Sequence, residues 1–236
     1  DLFHQDALLK SVEGALAVIK EASSALNLVW AVGAPLQVDC RLFNCAVIFY
    51  RGKILGVAVK SYLPNYREYY EGRQFSPASQ ALTSTITLAG QKDIPFGPNL
   101  IFQAANINNL RLFFEICEDL WVPVPPSSFA AMAGATVIGN LSASNITVGK
   151  SDYRHQLIAN QSARCVAASL YADAGFGEST TDLAWDGHAM IYENGNLLSE
   201  SKRFSTSAQM TLADIDLDRL AQDRMRLTTF GRNAED

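Results

Sequence analysis

The stretch LFFEICEDLWVPVPP, residues 112–126, carries an apolar run that stops abruptly at a cysteine. A short apolar run bounded by turn residues predicts a buried strand, and α/β folds place reacting groups at the ends of such strands. Cys117 stands just past the run, between the carboxylates Glu115 and Glu118. It is therefore either an inert end-of-strand side chain or the reactive atom of an enzyme. Two neighbouring carboxylates would raise the pKa of a thiol, so a nucleophilic role requires a cation or a base nearby.

The sequence on both sides of this strand predicts further strands mixed with helices. Two β-rich runs, residues 40–50 and 53–60, flank Arg51-Gly52 as in a hairpin. A second hairpin is predicted around Asn194-Gly195, a pair that favours tight turns. Helical patterns begin near Ser127 and Ser151, a strand covers residues 135–144, another passes near Leu170, and residues 209–225 read as a strand followed by a helix. Hairpins together with helices predict an α/β sandwich with mixed sheets.

Composition limits the class of protein. The 236 residues are 48% hydrophobic and 18% charged, which predicts one large globular domain. The net charge is −5 and the Lys and Arg residues are scattered, so we expect no nucleic-acid partner. No apolar stretch is long enough to span a membrane and the first residues do not resemble a signal peptide, so we expect a cytoplasmic protein. Four cysteines without a CxxC pair indicate free thiols and no metal site.

A lysine and a glutamate are the next candidates for chemistry. Lys60 ends a predicted strand and opens a loop rich in aromatic residues. Its ammonium either favours a thiolate and binds a developing oxyanion, or is simply solvated at the strand end. Glu71 either orients that ammonium or is one more loop carboxylate. None of the three histidines lies in a recognisable cysteine-protease signature, and each is interpreted as a surface residue or a satisfied core residue.

Aromatic and hydroxyl side chains surround these candidates in the sequence. The loop after Lys60 contains four tyrosines that either wall a pocket or cap the edge of the core: Tyr62, Tyr66, Tyr69 and Tyr70. In the segment NLSASN, Ser142 and Ser144 either donate hydrogen bonds to a ligand or form a turn. Each residue taken alone favours the structural alternative, and only their joint arrangement indicates a site.

Four ordered motifs together resemble one family. They are KSYLPNYREYYEGRQF, EICEDLWVP, NLSASNITVGK and GESTTDLAWDGHAMIYENG. Their order and content resemble the glutaminase domain of glutamine-dependent NAD synthetase, in the nitrilase or carbon–nitrogen hydrolase superfamily. The resemblance implies a four-layer αββα sandwich and a Glu–Lys–Cys catalytic set that hydrolyses L-glutamine through a cysteine thioester, with ammonia passed to a synthetase domain.

The resemblance also implies a role for each matching position. Cys117 matches the nucleophile, Lys60 the lysine that stabilises charge at the reacting carbonyl, and Glu71 the glutamate that supports this lysine. Glu118 follows the nucleophile, where its backbone N–H serves the oxyanion hole and its side chain meets glutamine. The remaining matches are Ser144 and Tyr69 in the substrate pocket and Tyr66 on the route for ammonia.

The sequence departs from the family in two respects. The family carries its acid–base glutamate in an upstream PE segment that no residue here matches, and Glu13 and Glu21 are interpreted as the solvated face of a first helix. We therefore expect residues 1–236 to be a glutaminase domain without its N-terminal strand and loop. The synthetase domain is also expected to be absent, and ATP and magnesium belong there, which leaves no cofactor in this domain. Family members form homo-oligomers, and the same is expected here.

Two other functions compete with this one. The chain could be a stand-alone nitrilase-like amidase that acts on another small amide. A truncated chain without the acid–base glutamate could instead be a non-catalytic assembly or regulatory module.

Overall fold

The computed structural model describes residues 2–180 and 183–235, in two α/β units. The first unit is Asp1–Leu100 and the second is Ile101–Asp236. Thr181 and Asp182, which belong to the fourth motif of the sequence, lie outside the described residues, as do the two terminal residues.

The first unit contains one helix and a five-stranded mixed sheet. The strand order is β1-β2-β3-β5-β4, and only the β3–β5 pair is parallel. The elements are α1 (Asp6–Ala22), β1 (Trp30–Val38), β2 (Arg41–Tyr50), β3 (Lys53–Val59), β4 (Thr85–Leu88) and β5 (Gln91–Gly97).

Local sequence explains the main features of this unit. The β2–β3 hairpin turns at Arg51 and Gly52, both with positive φ, as tight hairpin turns require. Helix α1 packs on the sheet because Leu16, at the centre of its apolar stripe, enters a core that includes Phe43 and Phe49. Glu13 and Glu21 are exposed, in agreement with the interpretation of them as a solvated helix face.

The second unit contains a six-stranded mixed sheet with four helices. The strand order is β11-β10-β9-β8-β7-β6, and the three central strands β7, β8 and β9 are parallel to one another. The elements are β6 (Ile101–Gln103), β7 (Arg111–Ile116), α2 (Pro126–Met132), β8 (Val137–Ser142), α3 (Lys150–Cys165), β9 (Ala168–Asp173), β10 (Ala189–Glu193), β11 (Asn196–Glu200), α4 (Leu217–Arg226) and α5 (Thr228–Glu235).

The apolar side chains of the parallel strands are covered by helices α2 and α3. Phe113 of β7 and Ile138 of β8 form a core with Ala130 and Ala131 of α2. Ile158 of α3 lies in a second core with side chains of β9 and β10. Parallel neighbours end at the same edge of a sheet, so β7, β8 and β9 present their carboxyl ends together.

Most sequence expectations for the fold are confirmed. Both sheets are mixed, both hairpins form at the expected turns, and the strand before Cys117 ends where the sequence indicated. The strand expected between residue 209 and the closing helix is wrong, because residues 201–216 form no helix or strand before α4 begins at Leu217. Met210 and Leu212 of that segment are largely exposed, so their alternation with polar residues did not reflect a buried face.

Candidate active site

Cys117 begins a single 3-10 turn, Cys117–Leu120, directly after β7. Its φ is +47°, a left-handed conformation that is strained for a residue with a side chain. The turn is closed by Asp119, whose Oδ2 accepts the backbone N–H of Ile116 at 3.0 Å. A side chain on a strained strand-to-turn junction is held at the rim of the sheet, which is the geometry of a nucleophile elbow.

A buried polar network lies beneath this turn. The Glu115 side chain accepts the backbone N–H of Ser127 at 3.1 Å and lies 3.5 Å from Nδ2 of Asn140. The same Nδ2 lies 3.5 Å from the carbonyl oxygen of Cys117. Burial, followed by the charge of Asp119, raises the pKa of Glu115 to about 7. Glu115 is thus a buried carboxyl group of raised pKa beneath the Cys117 turn, a property that its place in the sequence did not reveal.

The other three cysteines differ from Cys117 in place and environment. All four cysteines are free, as the sequence predicted. Burial raises the pKa of Cys165 to about 11, and burial also raises the pKa of Cys45 strongly. Cys40 is exposed in the turn between β1 and β2. Among these thiols, Cys117 alone stands at the carboxyl end of a parallel strand.

Lys60 and Glu71 form an ion pair in the first unit. Lys60 is buried just past β3, and its Nζ lies 2.5 Å from Oε2 of Glu71. The other carboxylate oxygen, Oε1, accepts a hydrogen bond from Nδ2 of Asn44 at 2.8 Å. Because the lysine is 2% exposed, the solvated alternative for it is excluded. Glu71 orients the ammonium, and Asn44, which sequence reasoning missed, orients Glu71.

The loop between Lys60 and Glu71 is ordered by its own backbone. The N–H of Glu71 donates to the carbonyl of Pro64 at 3.1 Å, and that of Tyr69 donates to Tyr66 at 3.0 Å. The rings of Tyr66 and Tyr69 meet edge to face, with their centroids 6.4 Å apart. Tyr66 is 51% exposed, which leaves its ring accessible to a molecule that approaches the loop.

Ser144 lies in the turn that follows β8. Its backbone N–H donates to Oδ1 of Asp173 at 2.7 Å, and its side chain is buried. The hydroxyl has no hydrogen-bond partner among residues 2–180 and 183–235, although a buried hydroxyl normally has one. Ser142 differs, because its hydroxyl accepts from Tyr171 at 2.9 Å. Of the two serines in the motif, Ser144 is the one whose hydroxyl is buried without a partner among the described residues.

Strand register places these groups at one edge of the second unit's sheet. Ile116 of β7 pairs with Leu141 of β8, so Cys117 and Ser144 both follow the carboxyl ends of neighbouring parallel strands. Asp173 ends β9, the next strand along. The edge therefore combines a thiol, a partnerless hydroxyl and the half-buried Glu118, which is a suitable set for binding and attacking a small polar molecule.

A buried arginine behind this edge was not predicted from the sequence. Arg154 of α3 is 1% exposed and lies 3.1 Å from both oxygens of Asp186 and 3.3 Å from Oδ2 of Asp173. Its neighbours on the same helix face include Ile158 and Cys165, both buried. The sequence did contain a signal, because Arg154 falls on the same helical face as the apolar residues of α3. A charge on a buried face must be paired, so a carboxylate partner could have been predicted.

Two histidines and a glutamate form the one group in the described residues with ligand atoms close enough for a metal ion. They are His155, His188 and Glu200. Glu200 accepts from Nε2 of His188 at 2.7 Å, while Nδ1 of His188 faces an N–H of Arg154 at 3.1 Å. The arginine donates to Nδ1, so Nε2 carries the proton and cannot ligate a metal. His188 is therefore a satisfied core histidine, as expected from the sequence.

None of the helices built from the described residues combines the length and the apolar character needed to cross a bilayer.

Comparison with known proteins identifies the family. A family model described as Carbon-nitrogen hydrolase matches residues 5–225. The glutamine-dependent NAD(+) synthetase of Mycobacterium leprae is 52% identical over 233 residues, which cover 99% of this chain and 34% of that protein. The corresponding protein of Mycobacterium bovis is 50% identical with the same coverage. The chain spans about a third of the length of these curated relatives.

Solved structures agree with this assignment. The glutamine-dependent NAD(+) synthetase from Cytophaga hutchinsonii matches with a TM-score of 0.76 and 26% identity, over 92% of this chain and 35% of that one. The carbon-nitrogen hydrolase from Helicobacter pylori G27 matches with a TM-score of 0.74 and 18% identity, over 96% of this chain and 74% of that one, which shows the fold alone. The predicted nitrilase-like α/β fold is thereby confirmed, and the chain belongs to the carbon–nitrogen hydrolase family.

Proposed function

We propose that the chain hydrolyses the side-chain amide of L-glutamine through a thioester on Cys117 and releases ammonia. The observation that carries this proposal is the strained Cys117 turn at the carboxyl end of a parallel strand. The 52% identity to a mycobacterial glutamine-dependent NAD(+) synthetase supports glutamine as the amide.

The chemistry proceeds in two stages. The Cys117 thiolate attacks the carboxamide carbon, and the electron pair of the C=O bond moves to oxygen to give a tetrahedral oxyanion. The nitrogen takes a proton from solvent water, the C=O bond re-forms, the C–N bond breaks to release ammonia, and a thioester remains. A water molecule then attacks the thioester and loses a proton to solvent, and the C–S bond breaks to release glutamate and restore the thiolate. The family resemblance assigns both proton transfers to a glutamate that no residue of this sequence matches.

Lys60 stabilises the charge at the reacting carbonyl in this proposal, and Glu71 holds its ammonium. The support for these roles is the buried pair of Lys60 and Glu71, fixed in turn by Asn44. Burial of the Lys60 side chain keeps solvent away from its ammonium, which is the condition for effective electrostatic stabilisation.

The remaining residues bind glutamine or release ammonia. Ser144 offers its partnerless buried hydroxyl to the substrate. The family resemblance assigns glutamine binding to Glu118 and Tyr69 as well. Tyr66 lines the route for ammonia, and its exposed ring supports a place at the mouth of the loop.

The ammonia serves NAD synthesis in the wider proposal. A synthetase domain receives it and acts as a ligase that converts deamido-NAD to NAD, with ATP and magnesium bound there and no cofactor in the glutaminase domain. The protein works in the cytoplasm as a homo-oligomer. The basis for the NAD-synthesis step is the name of the relatives, of which the chain covers 34%. The location and the homo-oligomer are carried over from the expectations of the sequence.

Ammonia release from a panel of amides tests the proposal. We expect glutamine to be hydrolysed at least about tenfold faster than propionamide at equal concentration, which corresponds to about 1.4 kcal/mol of extra transition-state binding. Cys117→Ala should abolish the reaction. Equal rates for both amides would favour a stand-alone amidase, and no ammonia from either would favour a non-catalytic assembly module.

A further inference from the structure

Both main-chain polar groups of Ser144 form hydrogen bonds with the two members of one buried ion pair. The backbone N–H donates to Oδ1 of Asp173 at 2.7 Å, and the carbonyl oxygen accepts from Nη2 of Arg154 at 3.0 Å. Arg154 and Asp173 are themselves paired at 3.3 Å, with both side chains essentially inaccessible to solvent. The position of Ser144 is therefore fixed by two side chains that lie on different elements, α3 and β9.

Arg154 is in turn fixed on its other side. Nη1 donates to Asp186 at 3.1 Å and to Nδ1 of His188 at 3.1 Å, and Asp186 also accepts from Nε of Arg203 at 2.8 Å. Burial opposes the ionisation of Asp186, but the hydrogen bonds and charges of Arg203 and Arg154 leave its pKa below the ordinary value. A planar guanidinium can span these partners because its N–H groups point in fixed, divergent directions, whereas an ammonium cannot.

We propose that Arg154 is a positioning residue of the glutamine pocket, which fixes the backbone of Ser144 so that its hydroxyl is presented to the substrate. This rests on the proposed function, since it needs Ser144 to bind glutamine. Arg154 touches neither the substrate nor Cys117 in this scheme. The partnerless state of the Ser144 hydroxyl supports the scheme, because the backbone contacts hold a buried donor in a place where the described residues do not satisfy it.

Labelling kinetics separate this role from a merely structural one. An electrophilic diazoketone analogue of L-glutamine reports on both the pocket and the thiol. Iodoacetamide reports on the thiol without the pocket, with the adduct on the Cys117 peptide quantified separately from that on the exposed Cys40. We expect Arg154→Lys to raise the half-saturating concentration of the analogue by about tenfold, as the loss of one well-placed binding contact would. The rate of Cys117 modification by iodoacetamide should change by less than about twofold, because Arg154 does not act on the thiol in this scheme. A tenfold change in that rate would correspond to about 1.4 kcal/mol in the activation free energy.

A double substitution tests whether Arg154 acts through Ser144. If it does, Ser144→Ala and the double variant with Arg154→Lys should have the same half-saturating concentration, because interacting residues are not additive. Arg164→Lys is the matched control, since Arg164 lies on the same helix, is exposed and contacts Gln161. It should behave as the unsubstituted chain.

Each outcome decides one of the two proposals. Unsubstituted chain that labels without saturation, or that glutamine does not protect, contradicts the proposed function itself. If the unsubstituted chain saturates but Arg154→Lys leaves the half-saturating concentration unchanged, the positioning role is refuted. Should Arg154→Lys fail to fold, the double variant of Arg154→Gln with Asp173→Asn removes the guanidinium from the Ser144 carbonyl, keeps an acceptor for the Ser144 N–H and leaves Asp186 paired with Arg203. An unchanged half-saturating concentration in that variant would refute the positioning role equally.

Discussion

Substitution of Lys60 and Glu71, separately and together, distinguishes the structural contribution of their ion pair from its chemical one. Both side chains are largely removed from solvent, at 3% and 14% exposure, and their charged atoms lie 2.5 Å apart. Removal of one member of a buried pair leaves the other charge in a poorly solvated place. We therefore expect Glu71→Gln to lower the free energy of unfolding by about 3 to 5 kcal/mol.

Lys60→Met should cost less, about 2 to 3 kcal/mol, because the remaining carboxylate is more exposed and keeps the hydrogen bond from Asn44. The double variant removes both charges of the pair, and the side-chain amide introduced by Glu71→Gln retains a carbonyl oxygen for Asn44. Its loss should fall short of the sum of the two single losses by about 2 kcal/mol.

The assay is urea unfolding followed by circular dichroism, with ammonia release from glutamine measured on the same samples. Lys53→Met is the control, since it makes the same change at the exposed start of the same strand and should stay within about 0.5 kcal/mol. Both variants that lack Lys60 should lose roughly 100-fold or more in the hydrolysis rate, as removal of one oxyanion donor does. Additive stability losses would refute the buried-pair reasoning, and hydrolysis that recovers with stability in the double variant would refute the chemical role of Lys60.

Three further outcomes follow from the described geometry. Gly139→Ala should destabilise the second unit by about 1 to 3 kcal/mol, because a Cβ there would lie 2.7 Å from the Phe114 ring, whereas Gly33→Ala, with nothing within 4 Å, should not. Because its pKa is raised from 4.5 to about 7, Glu115 contributes stability that is complete below pH 4.5 and is lost as the pH rises through about 7. The free energy of unfolding in urea of the unsubstituted chain, measured relative to Glu115→Gln, should therefore fall by roughly 3 kcal/mol across that window. Equal pH profiles for the two chains would contradict the burial of this acid. Cys165, with its pKa raised to about 11, should resist iodoacetamide at pH 8 in peptide maps, and its rapid modification would contradict its burial.

The strand that ends at Cys117 and both hairpins were predictable because their signals are local. The strand is specified by a short apolar run bounded by turn residues. The second hairpin is specified by the Asn194-Gly195 pair, in which both residues have positive φ. Lys60 and Glu71 were predicted as candidates from the position of Lys60 after a strand and from the family motif. They lie 11 positions apart along a loop, so the sequence alone could not exclude that the lysine is solvated.

Other parts of the site depend on contacts that no local pattern encodes. Arg154 acquires its role from Asp173 and Asp186, which reach it from other elements after the chain has folded. Glu115 has a raised pKa because burial and the charge of Asp119 oppose its ionisation, and both depend on the folded chain. The strand expected before α4 was wrong for the opposite reason. Met210 and Leu212 alternate with polar residues as in a strand, but this segment pairs with no strand of the described residues and both side chains are exposed.

The mass of the chain after reaction with the diazoketone analogue of glutamine tests the nucleophile most directly. A single covalent addition is expected, mapped to the peptide that contains Cys117, prevented by excess L-glutamine and absent from Cys117→Ala. An adduct that persists in Cys117→Ala, or that forms on the exposed Cys40 instead, would contradict the assignment of Cys117 as the reacting atom.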